Sequence, residues 1–232
     1  MKPTLIIDAD DTLWENNIFY EQCIADFADL MAIHGFGREE VLRTLEAVER
    51  ERVPVVGYAP EEFARSLVIA YQRLCAARQR PANDEIAGAA WQIGQRVIEY
   101  PIVLLDGVAE TLAWLSRHCR LLLLTKGDRK AQESKLARSG LAPLFEAVHI
   151  VTEKNAQVLR ELLARYGLQP HETWMVGNSP RSDVNPALEA EIGAIYIPHP
   201  HTWGFEVEEI AAPERVIVLQ RFAELAALFP AP

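Results

Sequence analysis

Apolar residues along this chain follow two different spacings, and the change between them divides it. From residue 16 to about residue 100 they recur at helical intervals. Phe19, Cys23, Phe27 and Leu30 form one stripe, Phe63, Leu67, Ala70 and Leu74 a second, and Ile86, Ala90, Ile93 and Val97 a third. Charged residues such as Asp26, Asp29, Arg65 and Arg73 occupy the other faces. Between stripes, ERVPVVGYAP (51–60) carries two prolines and a glycine and reads as a connection. With almost no β pattern in this stretch, the spacing predicts an all-α segment.

Beyond residue 101 short apolar runs alternate with amphipathic ones. RLLLLT (120–125), AVHIV (147–151), TWMVG (173–177), AIYI (194–197) and RVIVL (215–219) read as strands. Helices are expected between them, one with Val108, Leu112 and Leu115 on a face, one with Val158, Leu159, Leu162 and Tyr166, and one around 184–191. Such alternation predicts βαβ units and a parallel sheet covered on both faces. TLII (4–7) is then the first strand of the same α/β domain. The expected organisation is a core of residues 1–15 and 101–232, interrupted after its first strand by a helical domain of residues 16–100.

Composition adds exclusions. The 232 residues are 50% hydrophobic and 24% charged, as in an ordinary globular protein. No apolar run approaches the roughly 18–20 residues of a membrane span. TLII and an acidic cluster follow the first residue closely, without a basic region, apolar stretch and cleavage site in turn. An intracellular, cytoplasmic protein is expected, with no membrane partner. The net charge of −10 argues against nucleic acid as a partner, yet leaves room for a small phosphorylated one. Cys23, Cys75 and Cys119, widely spaced and odd in number, read as buried free thiols.

The chemistry gathers where strands end. In open α/β sheets the ligand site lies outside the carboxyl ends of the strands. There stand Asp8, Asp10, Asp11 and Thr12 after the first strand, and Thr125, Lys126, Gly127 and Asp128 after the second. Lys154 follows the third, and Gly177, Asn178, Ser179 and Asp183 follow the fourth. Two carboxylates about 4 Å apart repel by ~4 kcal/mol at an effective dielectric near 20, so a bound cation is a natural companion to the aspartates. Alternation puts Asp8 and Asp10 on one side of the strand end. One carboxylate can attack phosphorus and a neighbour can carry the proton, while a hydroxyl and an ammonium hold phosphoryl oxygens. Asp183 with Asp8 would complete an oxygen site for Mg²⁺.

These residues stand as DADDT (8–12), LLLLT (121–125), EKN (153–155) and GNSPRSD (177–183). In that order, each after its strand, they resemble the four motifs of the haloacid dehalogenase-like (HAD) hydrolase superfamily. The resemblance covers essentially the whole chain and implies a Rossmann-like core with a C1-type helical cap. It further implies Asp8 as nucleophile, Asp10 as general acid/base, and Thr125 and Lys154 as phosphoryl-binding. Asp8, Asp183 and the backbone carbonyl of Asp10 would hold Mg²⁺. Two positions depart from the pattern. Asp11 replaces the glycine of most members, and Asn178 stands where many phosphatase members have a metal-binding aspartate.

The expected function is therefore a Mg²⁺-dependent phosphatase acting on a small phosphorylated metabolite through an aspartyl-phosphate. A 2-haloacid dehalogenase is the nearest rival, but those enzymes lack the acid two residues beyond the nucleophile. A sugar phosphomutase differs mainly in returning the phosphoryl group. A receiver-like or phosphoryl-binding signalling module is the non-enzymatic alternative, and the helical insert fits it poorly. Thr12, Trp14, Lys126, Gly127 and, from the connection at 51–60, Tyr58 are expected to line the substrate site. His199 and His201 in IPHPHTW lie on one side of an extended segment, but lack a third His or Cys nearby. That loop is expected to pack at the rim of the site. A monomer and a homodimer are equally compatible with the sequence.

Overall fold

The computed structural model describes residues 2–230. Six strands form one sheet: β1 (Thr4–Ile7), β2 (Arg120–Lys126), β3 (Ala147–Val151), β4 (Thr173–Gly177), β5 (Gly193–Tyr196) and β6 (Val216–Val218), in the order β3-β2-β1-β4-β5-β6. Every neighbouring pair is parallel. The order runs outward from β1 through β2 to β3, and on the other side through β4 to β6. The topological switch point therefore falls between β1 and β4, where such folds keep their ligand sites.

Side-chain alternation sorts the central strands between two cores. Leu5 and Ile7 of β1 and Leu121 and Leu123 of β2 pack on one face, against Leu112 and Leu115 of a helix over Val108–His118. Ile6, Leu122, Leu124 and Met175 pack on the other, against Leu159 and Leu162 of a helix over Ala156–Tyr166. Burial on both faces explains why these strands read as unbroken apolar runs.

The chain divides into two compact units, Met1–Asn17 with Ile102–Pro232, and Ile18–Pro101. Four helices fill the second: α1 (Asn17–Ile33), α2 (Arg38–Val56), α3 (Pro60–Ala77) and α4 (Asp84–Gln95). Its own core gathers Cys23, Phe27, Met31, Leu67 and Leu74. Asn83 caps α4, its Oδ1 accepting from the backbone N–H of Glu85 at 2.7 Å and Ile86 at 3.1 Å. The connection read at 51–60 is shorter than expected, because α2 runs through Pro54 to Val56. Pro54 lies in the last turn, where a missing N–H removes a single bond. Gly57, at φ 76°, ends the helix with its N–H on the Val53 carbonyl, and Pro60 opens α3 at its first position.

The first unit adds α5 (Val108–His118), α6 (Arg129–Ser139), α7 (Ala156–Tyr166), α8 (Asn185–Glu189) and α9 (Leu225–Leu228). The helix expected around 184–191 is present as the short α8, preceded by a π-helical turn over Pro180–Val184. The three cysteines are buried free thiols. Among the described residues no helix is long and apolar enough to cross a membrane.

Candidate active site

Strand β1 continues its ladder one residue past Ile7, since the Asp8 N–H donates to the Val176 carbonyl of β4 at 2.9 Å. Asp8 is thereby pinned at the switch point, and its carboxylate is buried. Oδ1 accepts from Lys154 Nζ at 2.6 Å, and Oδ2 accepts from the Thr12 hydroxyl at 2.9 Å. Thr12 can reach back because the chain turns sharply, the Thr12 and Leu13 N–H groups both donating to the Ala9 carbonyl.

Lys154, buried just before α7, also donates to Asp183 Oδ1 at 2.5 Å. Asp183 sits in the π-helical turn, and its Oδ2 accepts from the Ser179 N–H at 3.0 Å. Gly177 makes this placement possible, since a Cβ there would lie 2.2 Å from Asp183 Oδ2. Asn178 turns its amide oxygen toward the Thr12 hydroxyl at 3.3 Å and donates to Thr202 Oγ1 at 3.1 Å.

One ammonium thus serves two buried carboxylates. Burial alone would push Lys154 down, but Asp183 and Asp8 together raise it and keep it charged. Burial is also the main force on Asp183. With repulsion from Asp8 it pushes that carboxyl up to about 7, although Lys154 pulls the other way.

Asp10 faces a different set of donors. Lys135 Nζ of α6 lies 2.8 Å from each of its oxygens, Gln132 Nε2 is 2.9 Å from Oδ2, and Trp14 Nε1 is 2.7 Å from Oδ1. Burial works to raise this carboxyl, but the Lys135 charge and the hydrogen bonds from Lys135, Gln132 and Trp14 hold it below its ordinary value. Gln132 Nε2 also reaches Thr125 Oγ1 at 2.6 Å and the Lys126 carbonyl at 3.0 Å, tying the end of β2 to Asp10.

The structure therefore joins Asp8, Thr12, Lys154, Asn178 and Asp183 in one network, and Asp10 with Thr125 in a second. Other expected residues stand differently. Trp14 is 1% exposed within the core, so its contact is with Asp10 and it offers no open face to a ligand. Lys126 pairs with Glu206 and donates to Ser182 Oγ at 3.1 Å. Gly127, at φ 134°, continues β2's pairing with its N–H on the Val151 carbonyl at 3.0 Å. Tyr58 lies in the helical unit, in the short connection between α2 and α3.

Three participants escaped the sequence reading. Gln132 and Lys135 fall three residues apart on the helix after Thr125, a spacing that puts them on one face. That was a usable signal. Glu206 had none, because it comes from an irregular loop far along the chain. It is buried, and its Oε2 accepts from Ser179 Oγ at 2.6 Å and Ser182 Oγ at 2.5 Å. Burial would raise its carboxyl, yet Lys126 and the two hydroxyls hold it down. The IPHPHTW loop places His199 between two carboxylates, Nδ1 at 3.7 Å from Asp11 Oδ1 and Nε2 at 3.3 Å from Glu15 Oε2. The His201 ring centroid is 5.8 Å from that of His199.

The donors around Asp8 suit a hard divalent cation. Asp8 and Asp183 bring two buried carboxylates against one ammonium, and Asn178 adds an amide oxygen. Mg²⁺ takes such oxygen ligands, usually one or two carboxylates with waters and phosphate. The Asp183 carboxyl, which burial pushes up to about 7, is also what a cation would relieve.

With this geometry in view, the comparison with known proteins is decisive on one point. The chain matches the model of the haloacid dehalogenase-like hydrolases over residues 2–191. It belongs to that family. Among solved HAD structures, a haloacid dehalogenase-like family hydrolase from Xanthomonas campestris superposes with a TM-score of 0.83 at 28% identity, covering 98% of this chain and 90% of that one. A curated relative, the phosphoserine phosphatase of Thermus thermophilus, is 26% identical over 83% of this chain and 87% of its own. The mouse N-acylneuraminate-9-phosphatase is 31% identical over 98 residues, 40% of each chain. The six-stranded parallel sheet with its flanking helices is thus the Rossmann-like core of a HAD hydrolase.

Proposed function

We propose that this HAD hydrolase is a Mg²⁺-dependent phosphatase for a small phosphorylated metabolite, acting through an aspartyl-phosphate on Asp8. The observation that carries the reading is the pairing of Asp8 with a second, independently held carboxylate two residues on. A dehalogenase-type attack on carbon needs no such group, whereas a phosphoester must lose an alkoxide that wants a proton. The phosphatases among its relatives point the same way.

Roles follow from the contacts. Lys154 holds Oδ1 of Asp8 and Thr12 holds Oδ2, so the carboxylate is oriented before substrate arrives. In the first step an Asp8 oxygen bonds to phosphorus, the ester P–O bond breaks, and the leaving oxygen takes a proton from Asp10. In the second, water attacks the same phosphorus, Asp10 takes its proton, and Asp8 is released with inorganic phosphate. Thr125 serves as a donor to a phosphoryl oxygen. Its Oγ1 already accepts from Gln132, which leaves its own hydrogen for an outside acceptor. Lys154 would share the phosphoryl charge. Asp8, Asp183, the Asp10 carbonyl and Asn178 would hold Mg²⁺. That ion would supply charge neutralisation at the phosphoryl oxygens.

The Lys135 charge and three donors hold the Asp10 carboxyl below its ordinary value. A proton for the leaving group can arrive with substrate, since phosphate monoesters, with a second pKa near 6, carry one in part of their population. Residues 16–100 are read as the cap domain of the same enzyme. They are the region where substrate choice would be exercised, with Tyr58 as a candidate contact.

The test is hydrolysis of p-nitrophenyl phosphate with Mg²⁺ and with EDTA, beside Asp8→Asn. Release that needs metal and vanishes in the variant is the expected result. Asp8→Asn retaining substantial activity would mean another group attacks. Turnover of 2-haloacids without metal, and none of phosphoesters, would replace this reading with a dehalogenase.

A further inference from the structure

We propose that Lys135, assisted by Gln132, is a positioning residue that sets the Asp10 carboxyl in place for proton transfer to the leaving group. The proposal rests on the reading of Asp10 as general acid/base and adds to it a part of α6 that the motifs do not contain.

Four contacts converge on the two oxygens of Asp10. Trp14 Nε1 reaches only Oδ1, at 2.7 Å, and Gln132 Nε2 reaches only Oδ2, at 2.9 Å. Lys135 alone bridges both, 2.8 Å from each, and its third bond, also 2.8 Å, goes to Asn16 Oδ1. Donors on separate oxygens resist rotation of the carboxyl about its Cβ–Cγ bond, and a cation equidistant from both oxygens anchors the group along that bond. Proton transfer in the transition state depends on that placement, because a displacement of about 1 Å can cost on the order of 100-fold in rate.

The bridging ammonium is itself held by the fold. Gln132 and Lys135 share a face of α6, and neighbouring Leu136 packs into the core beneath the sheet. Asp128 caps the helix, accepting from the Ala131 N–H at 2.9 Å. Gln132 also bonds Thr125 Oγ1, so one helix face spans both the proposed acid and the proposed phosphoryl donor. An exposed ion pair would be worth little and would order nothing. Here both partners are largely enclosed, with side chains 19% and 24% exposed.

A structural ion pair and a positioning residue differ in what they do to the leaving group. When an ester P–O bond breaks, the departing oxygen takes the Asp10 proton as the Asp8–phosphorus bond forms. A strongly acidic phenol leaves without that proton, and a weakly acidic one does not. Loss of positioning should therefore steepen the dependence of kcat/KM on leaving-group acidity, whereas mere loss of folded protein lowers every substrate equally.

The experiment measures kcat/KM for aryl phosphates running from 2,4-dinitrophenyl to phenyl, in wild type, Lys135→Met, Lys135→Arg and Asp10→Asn. In Lys135→Met a loss of about 100-fold or more is expected for the phenyl ester and under about tenfold for the dinitrophenyl ester. Lys135→Arg, which keeps a bridging cation, should recover most of the phenyl-ester rate. Equal loss across the series in Lys135→Met, with the slope steep in Asp10→Asn, overturns the proposal and leaves the role of Asp10 standing. Equal loss in Asp10→Asn as well overturns the role of Asp10 and the proposal with it. Circular dichroism and melting temperature identify a variant that fails to fold. In that case Gln132→Leu decides, with a steepened slope expected and an unchanged one overturning the proposal.

Discussion

Asp11 carries strain from two sources. Its backbone sits at φ 59°, a left-handed conformation that suits Gly, Asn and Asp better than other residues. Its carboxylate is buried and accepts from the backbone N–H of Asn16 at 2.8 Å and Asn17 at 3.0 Å, where α1 begins. Burial above all, then the charges of Asp10 and Asp8, push its carboxyl up to about 7, against those two backbone bonds. A carboxyl whose folded pKa exceeds its unfolded value near 3.9 binds its proton more tightly when folded. Its contribution to stability is complete below that unfolded value and is lost as pH rises through about 7. At up to 1.36 kcal/mol per unit, the loss is at most about 4 kcal/mol. Asn keeps the acceptor oxygen and tolerates the backbone, so Asp11→Asn should melt higher than wild type at pH 8 in EDTA, with the gap closing toward pH 4. Parallel melting curves for the two proteins across this range would refute the assignment. At this scale the chemistry was readable from residue type, since DADDT, Thr125, Lys154 and Asp183 each follow a strand. The partners were not, because a hydrogen bond between Lys135 and Asp10, or between Glu206 and Ser182, joins positions unrelated in sequence.

Elements were legible wherever packing is one-sided or complete. The central strands are buried on both faces, and their apolar runs said so. Where local geometry departs from a regular element, the pattern was silent. The connection read at 51–60 began inside α2, whose Pro54 is tolerated in the last turn. The pattern also gave no sign of the π-helical turn that precedes α8. That turn matters, because it delivers the Asp183 carboxylate onto the bare backbone of Gly177. Gly177→Ala should force the carboxylate aside, because the nearest atoms to the new Cβ would be the Oδ2, Cγ and Cβ of Asp183 itself. A displacement on the order of 1 Å costs roughly 100-fold, so turnover of p-nitrophenyl phosphate should fall by about that factor while circular dichroism stays unchanged. Activity within a few-fold of wild type would mean that Asp183 does not need this seat.

At the scale of the whole molecule, the switch point between β1 and β4 brings the Asp8 backbone against Val176, and so joins the first and fourth strand ends from opposite halves of the chain. If Asp8 and Asp183 hold Mg²⁺, the ion binds the folded state alone and stabilises it. At about 100 times its Kd the gain is ~2.7 kcal/mol, or a rise on the order of 5–10 °C for a chain of this length. The rise should disappear in Asp183→Ala. An equal rise in that variant would move the metal elsewhere.

What the sequence by itself determined was the class of fold, the helical interruption after the first strand, and the kinds of group at four strand ends. Each of these depends on short-range pattern, the period of apolar residues and the residues that follow each run. The tertiary structure decided how those groups are used. It gave Lys154 to Asp8 and Asp183 together, Lys126 to Glu206, and Lys135 to Asp10. The three lysines bring the same ammonium group. Only the path of the chain through space assigns each its partner, because charge pairing depends on distances that no local pattern encodes.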